Sequence, residues 1–464
     1  MTRLLPGAAA FLAATVVALT GLYASAGTPG EPAERPGVVE LRLLGVNDFH
    51  GHLEPPRPGI GGAAWLGAHL NRATVAGRTI RVHAGDMVGA SPLLSSWFRD
   101  EPTIEAANRM GFDVGTVGNH EFDEGGNELL RLLRLARFPY IAANTRLRDG
   151  GGLLLPPYEI VERAGVRVGF IGVTTPSTPK FLLARHAARF RFTDISDAVN
   201  VWVPELRRRG VEAIVVLAHA GGPTQDESDA AEFVGEIVDE TREMSSAVDV
   251  VIAGHSHSRL DLRVPNPDGS GDKLVVEALS YGVAYDLVDI SVDRRSGDVV
   301  AKSGRVAGTG HAGLPPDAGL AELVEGYRTE LAPIADRVIG DAEGELTRGG
   351  GALGRLVAAG ERAFAGTDAA LVSPGALRAD IDAGPITYAE LAKALAYDHP
   401  LMRLEMSGRE LRSLASEDAH YAGPANLDSD AIYSVAASEL FVARGRPVGT
   451  EVEALDWYLT RGGG

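Results

Sequence analysis

The chain has 464 residues, 45% of them hydrophobic, a formal net charge of −18 and no cysteine. That length allows two or three domains with sizeable cores. The acidic balance argues against a nucleic-acid-binding scaffold, because phosphodiester backbones are repelled. Without cysteine, disulfides and thiolate metal sites are excluded, so any metal must be held by nitrogen and oxygen donors.

The first segment reads as a targeting signal. Arg3 gives a positive start, Ala8–Leu19 is apolar apart from Thr15, and Ala24-Ser25-Ala26 is a small-x-small cleavage pattern. The expectation is a signal peptide over 1–26 and a flexible lead-in over 27–37, with the folded part exported to the cell surface or beyond. An uncleaved anchor is the alternative, since Leu4 to Gly30 carries no charge. Membrane contact is expected only in that case.

From Val38 to about Ala307, strands alternate with helical stretches. Val- and Ile-rich runs at Val38–Val46, Thr79–Val82, Val114–Val117, Val166–Val173, Val211–Ala218, Val248–Ala253, Leu274–Ala278 and Leu287–Val292 read as buried strands. Gly62–Ala76, Thr103–Met110, Gly125–Ala136, Asp197–Arg209 and Glu227–Glu243 have helical spacing. This is an α/β layered pattern with helices over a sheet. A Gly/Pro-rich stretch, Gly308–Pro316, precedes a long helix over Ala318–Ala335. Together they mark a linker over 311–335 between a domain at 38–310 and a second α/β domain at 336–464.

Five of the strand-like runs end in polar clusters: Asp48-Phe49-His50, Gly85-Asp86, Gly118-Asn119-His120-Glu121, His219, and Gly254-His255-Ser256-His257. Ligands gather where strands of such sheets end. Asp48 and His50, two apart, share a face within a strand. Asp86 offers two oxygens that can bridge two cations. Asn119 is a hard neutral donor. Five of the 12 histidines fall in these clusters. Taken singly, the Asp-x-His pair is weak evidence, Gly-Asp is a common turn and a lone His219 is more often a core residue, whereas Gly118-Asn119-His120-Glu121 is more specific and Gly254-His255-Ser256-His257, with imidazoles at i and i+2, is stronger. His52 and His83 lie beside the clusters. His69, His186, His311, His399 and His420 read as ordinary core or surface residues.

Taken in order, these clusters resemble the motifs of the calcineurin-like metallophosphoesterases. Asn47-Asp48-Phe49-His50-Gly51, Gly118-Asn119-His120-Glu121-Phe122-Asp123 and Gly169-Phe170-Ile171-Gly172-Val173-Thr174-Thr175-Pro176 are similar to the 5′-nucleotidase branch. The resemblance implies a layered β-sandwich metallophosphoesterase domain flanked by helices, with a smaller C-terminal α/β domain. It also implies two divalent metal ions, with Mn, Zn, Fe and Ca all admissible. Asp48, His50 and His257 would hold the first, Asn119, His219 and His255 the second, and Asp86 would bridge them. Many secreted members of the family have Gln where His257 stands. His120 and Asp123 match the family's catalytic pair, and their i, i+3 spacing lets them meet on one helical turn.

In that family the C-terminal domain binds the nucleoside. Arg378, in Ser373-Pro374-Gly375-Ala376-Leu377-Arg378, therefore resembles a phosphate or ribose contact, and Arg348 is a loose match to a second one. Tyr397 stands where a stacking aromatic is expected. Phe441 reads either as the other stacking ring or as core. Three departures bear on the nucleotide pocket: Ser373 replaces an Asn, Gly349-Gly350-Gly351 replaces a polar stretch, and Arg444–Gly449 replaces an acidic Gly-rich string. The expectation is an exported, monomeric phosphoester hydrolase for a small phosphorylated substrate, with 5′-nucleotidase first. The alternatives are a UDP-sugar or 2′,3′-cyclic-nucleotide hydrolase, a phosphatase for another small phosphoester, and a non-catalytic metal-holding protein.

Overall fold

The computed structural model describes residues 36–222, 235–349, 351–415, 419–442 and 444–463. The expected signal segment, and Glu227–Val234 of the expected helix Glu227–Glu243, lie outside them. Among the described residues no helix is long and apolar enough to cross a membrane.

Two six-stranded sheets face each other. In the first the order is Val299–Gly308, Ala284–Asp293, Val38–Val46, Thr79–His83, Val114–Thr116, Tyr140–Ile141. In the second it is Arg259–Pro265, Asp272–Ala278, Val250–Ala253, Ala213–His219, Val166–Thr174, Tyr158–Arg163. Val38–Val46, Thr79–His83 and Val114–Thr116 run parallel in one sheet, and Val166–Thr174, Ala213–His219 and Val250–Ala253 run parallel in the other. Such strands are apolar on both faces because both are covered. Leu41 and Leu43 point between the sheets, against a layer holding Phe170, Val215 and Ile252. Leu44 and Val46 point to the helical layer outside. Val215 and Leu217 likewise face inward while Val216 and Ala218 pack under the outer helices. This two-sided burial is why the runs read as unbroken hydrophobic strings.

The long helix at Ala318–Ala335 is not a free connector. Its Leu320, Leu323, Val324 and Leu331 sit in the apolar cluster of the first domain, with Leu66, Leu70 and Met110. Asp317 caps it, accepting from Leu320 N at 3.0 Å. An apolar face of this size is stable only when packed, so the helix folds with the first domain.

The remaining chain forms a five-stranded sheet in the order His420–Ala422, Ala369–Val372, Ile432–Ser438, Pro400–Ser407, Arg446–Thr450. Helices Ala352–Ala365 and Glu451–Leu459 share its main apolar cluster through Leu353, Val357, Val452 and Leu455.

Candidate active site

The polar clusters stand at or just past the C-terminal ends of parallel strands from both sheets, and the fold brings all of them together. Asp48, His50 and His257 each place a donor atom within 4.8 Å of the others, as do Asp86, His219 and His255. A third such group, His50, Asp86 and His120, lies between these two. Asp48, Asp86, Asn119 and His219 are almost fully buried.

Delivering these side chains requires unusual backbone. Asp48, His50, Asp86, His255 and His257 have φ of 49°, 47°, 48°, 78° and 55°. Left-handed φ is uncommon for residues with a Cβ and clusters at functional sites. Glycines make the room: a Cβ on Gly118 would stand 2.1 Å from Asp86 Oδ1, and one on Gly85 would stand 2.8 Å from His219 Nδ1.

The imidazoles are oriented from behind. His50 Nδ1 lies 2.9 Å from Gly89 O, and His219 Nδ1 lies 2.9 Å from Ala84 O. A carbonyl oxygen only accepts, so each Nδ1 donates and each Nε2 faces the cluster. His219 Nε2 then meets Asp86 Oδ2 at 3.0 Å and Asn119 Oδ1 at 3.1 Å. Both are acceptors, so only a proton or a cation between them satisfies the geometry. Burial pushes the His219 imidazole down, but the Asp86 carboxylate outweighs it and holds the ring at about 10. The same pairing keeps Asp86 below the usual carboxylate range despite its burial. Asp48 is held low in the same way by His257 and His50. A cluster arranged to demand positive charge, with N/O donors and tautomers set by backbone carbonyls, fits divalent cations.

His120 and Asp123 form a separate pair. His120 Nδ1 meets Asp123 Oδ2 at 2.7 Å, and His120 N donates to Asp86 Oδ1 at 2.8 Å. The pair occupies one short turn, His120–Phe122, with Asp123 as its C-cap. Burial disfavours the imidazolium, but Asp123 and Asp86 raise it to about 9. Both carboxylates thus favour the cationic form of the ring.

Three supporting residues were assigned no role of their own from the sequence. The buried Glu121 carboxylate accepts from the backbone N–H of Asp86, Met87 and Gly118, tying two ligand loops together. Asn47 donates to Asp48 Oδ2 and Leu279 O and accepts from Ala278 N. Glu277 accepts from Ser256 Oγ and Ser258 N, holding the His255–His257 loop. A carboxylate inside the apolar strand Asp272–Ala278 was the available clue for Glu277.

A cavity of about 940 Å³ opens beside the pair, lined by His120, Asp123 and Phe181 from the first domain and by Tyr388, Tyr397 and His399 from the second. Tyr397 stacks on His399 with ring centroids 5.4 Å apart, and the Arg378 guanidinium lies 5.2 Å over the Tyr397 ring. Arg348 donates to the Arg378 carbonyl at 3.0 Å and pairs with Asp380. Phe441 is elsewhere: it lies on the small apolar cluster of Leu404, Met406 and Leu411, because helix Glu439–Val442 turns it there. Arg378, Arg348 and Phe441 are not among the residues lining the cavity. His186 and His399, read as ordinary from sequence, adjoin the site.

The family model for calcineurin-like phosphoesterase matches residues 41–259, and that for the 5′-nucleotidase C-terminal domain matches 338–435. The chain is similar to endonuclease YhcR of Bacillus subtilis, 35% identical over 405 residues, 81% of this chain and 32% of that protein. It is similar to cell wall protein Lmo0130 of Listeria monocytogenes, 29% identical over 438 residues, 80% of this chain and 55% of that protein. It thus spans about a third and about half of these two curated relatives. A 5′-nucleotidase precursor from Thermus thermophilus superimposes with a TM-score of 0.73 at 25% identity, covering 91% of this chain and 96% of that one. With both family models in consecutive register on the sandwich and on the smaller sheet, the chain belongs to the calcineurin-like phosphoesterases of the 5′-nucleotidase type.

Proposed function

We propose that this chain is an exported, monomeric phosphoester hydrolase that uses two divalent metal ions and acts as a 5′-nucleotidase. The observation that carries the reading is the placement of the His120–Asp123 pair between the buried ligand groups and a cavity shared by both domains. Asp48, His50 and His257 would hold one ion, Asn119, His219 and His255 the other, with Asp86 between them. When bound, such ions supply charge against phosphoryl oxygens and ionise a water.

The chain's own residues do the rest. Asp123 accepts from His120 Nδ1, which orients the ring, favours its cationic form and turns Nε2 away from Asp123. The cationic ring stands where it can neutralise charge developing on a phosphoryl oxygen, the kind of preorganised help that usually supplies the largest catalytic term. A purely metal-holding role needs neither residue of the pair. Tyr397, with Arg378 behind it, offers a flat face and a cation for a base and its phosphate.

The altered C-terminal motifs keep other phosphoesters in view as substrates, and the likeness to a protein named as an endonuclease adds phosphodiesters. The test is hydrolysis by the mature protein, read as phosphate release from AMP and glycerol phosphate and as the nucleoside monophosphate formed from UDP-glucose and from a 2′,3′-cyclic nucleotide, with each metal added back and metal content measured. AMP should be the best substrate, at about two metals per chain. AMP no better than glycerol phosphate would remove the nucleotidase assignment, and a metal content near zero in an active enzyme would remove the metal assignment.

A further inference from the structure

The place of Asp123 is set from outside its own motif. His186 Nδ1 stands 2.5 Å from the main-chain oxygen of Asp123, across a sequence separation of 63 residues. The carbonyl oxygen accepts, so Nδ1 carries the proton and donates. Gly125, at φ 80°, opens the approach: a Cβ there would stand 3.2 Å from His186 Cδ2. Asp123 closes a single 3₁₀ turn, a conformation with poor hydrogen-bond geometry and free carbonyls at its end. A donor on that carbonyl holds the turn, and with it the carboxylate that orients His120.

His186 is itself fastened on two sides. It lies on the four-residue helix Ala184–Ala187. Leu182, just before, is buried in the first domain's apolar cluster, and Ala187 packs against the same cluster. Arg185, the preceding residue, forms an ion pair with Glu439 of the C-terminal domain.

We infer that His186 is a positioning residue for the His120–Asp123 pair, and that the Arg185–Glu439 contact lets the C-terminal domain help hold it in place. This rests on the phosphoesterase reading above. It assigns His186 no contact with substrate.

The test uses the shape of the side chain. Asn carries an amide nitrogen at the position of His Nδ1, whereas Gln carries it one bond further out, near Nε2. His186→Asn should keep kcat close to wild type. His186→Gln and His186→Ala should lose roughly ten- to a hundredfold in kcat with KM little changed, as expected when a supporting contact lets a reacting group drift. Each comparison is made on protein whose metal content and Tm match the wild type. Glu439→Gln should lower kcat in the wild-type background and have little further effect alongside His186→Ala. A His186→Gln enzyme with full kcat, or a His186→Asn enzyme as poor as the Gln variant, overturns the positioning role. An equal Glu439→Gln effect in both backgrounds overturns the link to the C-terminal domain. Failure of the wild type itself to hydrolyse any of the phosphoesters in that panel would instead refute the phosphoesterase reading.

Discussion

The candidate ligand cluster of the first domain and the substrate side of the C-terminal domain are built by different physics. On the first domain, Asp48, His50, Asp86, Asn119 and His219 are buried, Asp48, His50, Asp86, His255 and His257 stand on left-handed backbone, and His50 and His219 are oriented by carbonyls behind them. On the C-terminal domain, Tyr397 is 37% exposed, the Arg378 guanidinium over its ring is exposed, and so is Arg348, which reaches the Arg378 carbonyl. Buried charges need a fixed set of partners, so small changes there are felt strongly. Exposed rings and guanidinium groups can shift or be exchanged at low cost. The chemistry should therefore be brittle and the substrate preference adjustable.

The largest break in that contrast should come from His120→Ala. Turnover should fall roughly 10²–10³-fold, about 2.7–4 kcal/mol on the scale of a lost oxyanion donor, measured as kcat with metal content unchanged. Near-normal turnover would remove the pair from the chemistry. Because Asp123 and Asp86 hold the ring up at about 9, activity that needs the imidazolium should persist at neutral pH and decline as pH rises through that value. Asp123→Asn should bring the decline to lower pH.

Glu121→Gln comes next, because an amide N–H would face backbone N–H groups that now donate to a carboxylate. Metal affinity should weaken roughly ten- to a hundredfold, the usual cost of losing a group behind a ligand. Titration with metal, monitored by activity recovery, measures it. Affinity equal to wild type would show that the ligand loops hold without this tie.

On the open wall, Tyr397→Ala should raise KM for a nucleotide by a few-fold, consistent with about 0.5–1.5 kcal/mol for an aromatic contact. Turnover should stay within a factor of about two. A comparable change in KM for glycerol phosphate would show that the ring does not read a base.

The smallest effect concerns Glu361 and Glu451, a buried acid pair on the helices Ala352–Ala365 and Glu451–Leu459. Burial pushes both carboxyls up, Glu451 to about 7, and Glu361 has no hydrogen-bond partner among the described residues. The native chain then holds protons that the unfolded chain releases between pH 4.5 and about 7. Stability should fall as pH rises through that window. Glu361→Gln should flatten this part of the Tm profile relative to wild type. An unchanged slope would show that the pair does not titrate there.

Much of the sandwich was legible because its strands are buried on both faces. Val38–Val46 and the helix Ala318–Ala335 have the bounds expected from their apolar patterns. The ligand clusters were legible because polar groups abruptly close apolar runs. The attachment of Ala318–Ala335 to the first domain was not, since periodicity marks an apolar face without naming its partner. Nor were Glu121, Asn47 and Glu277, whose importance lies in bonds to backbone distant in sequence. Phe441 shows the same limit from the other side: an aromatic near a pocket motif has no stated direction until the helix carrying it is packed.

The order of residues by itself determined which donors the chain owns, where strands stop and that His120 and Asp123 can meet, because these follow from local spacing and side-chain chemistry. Only the tertiary structure decided that two sheets bring their strand ends to one point. It alone set a carbonyl from another segment behind His50 and behind His219, and closed the cavity with a second domain. Those contacts join residues far apart in the chain, and no local pattern encodes the partner across such a gap.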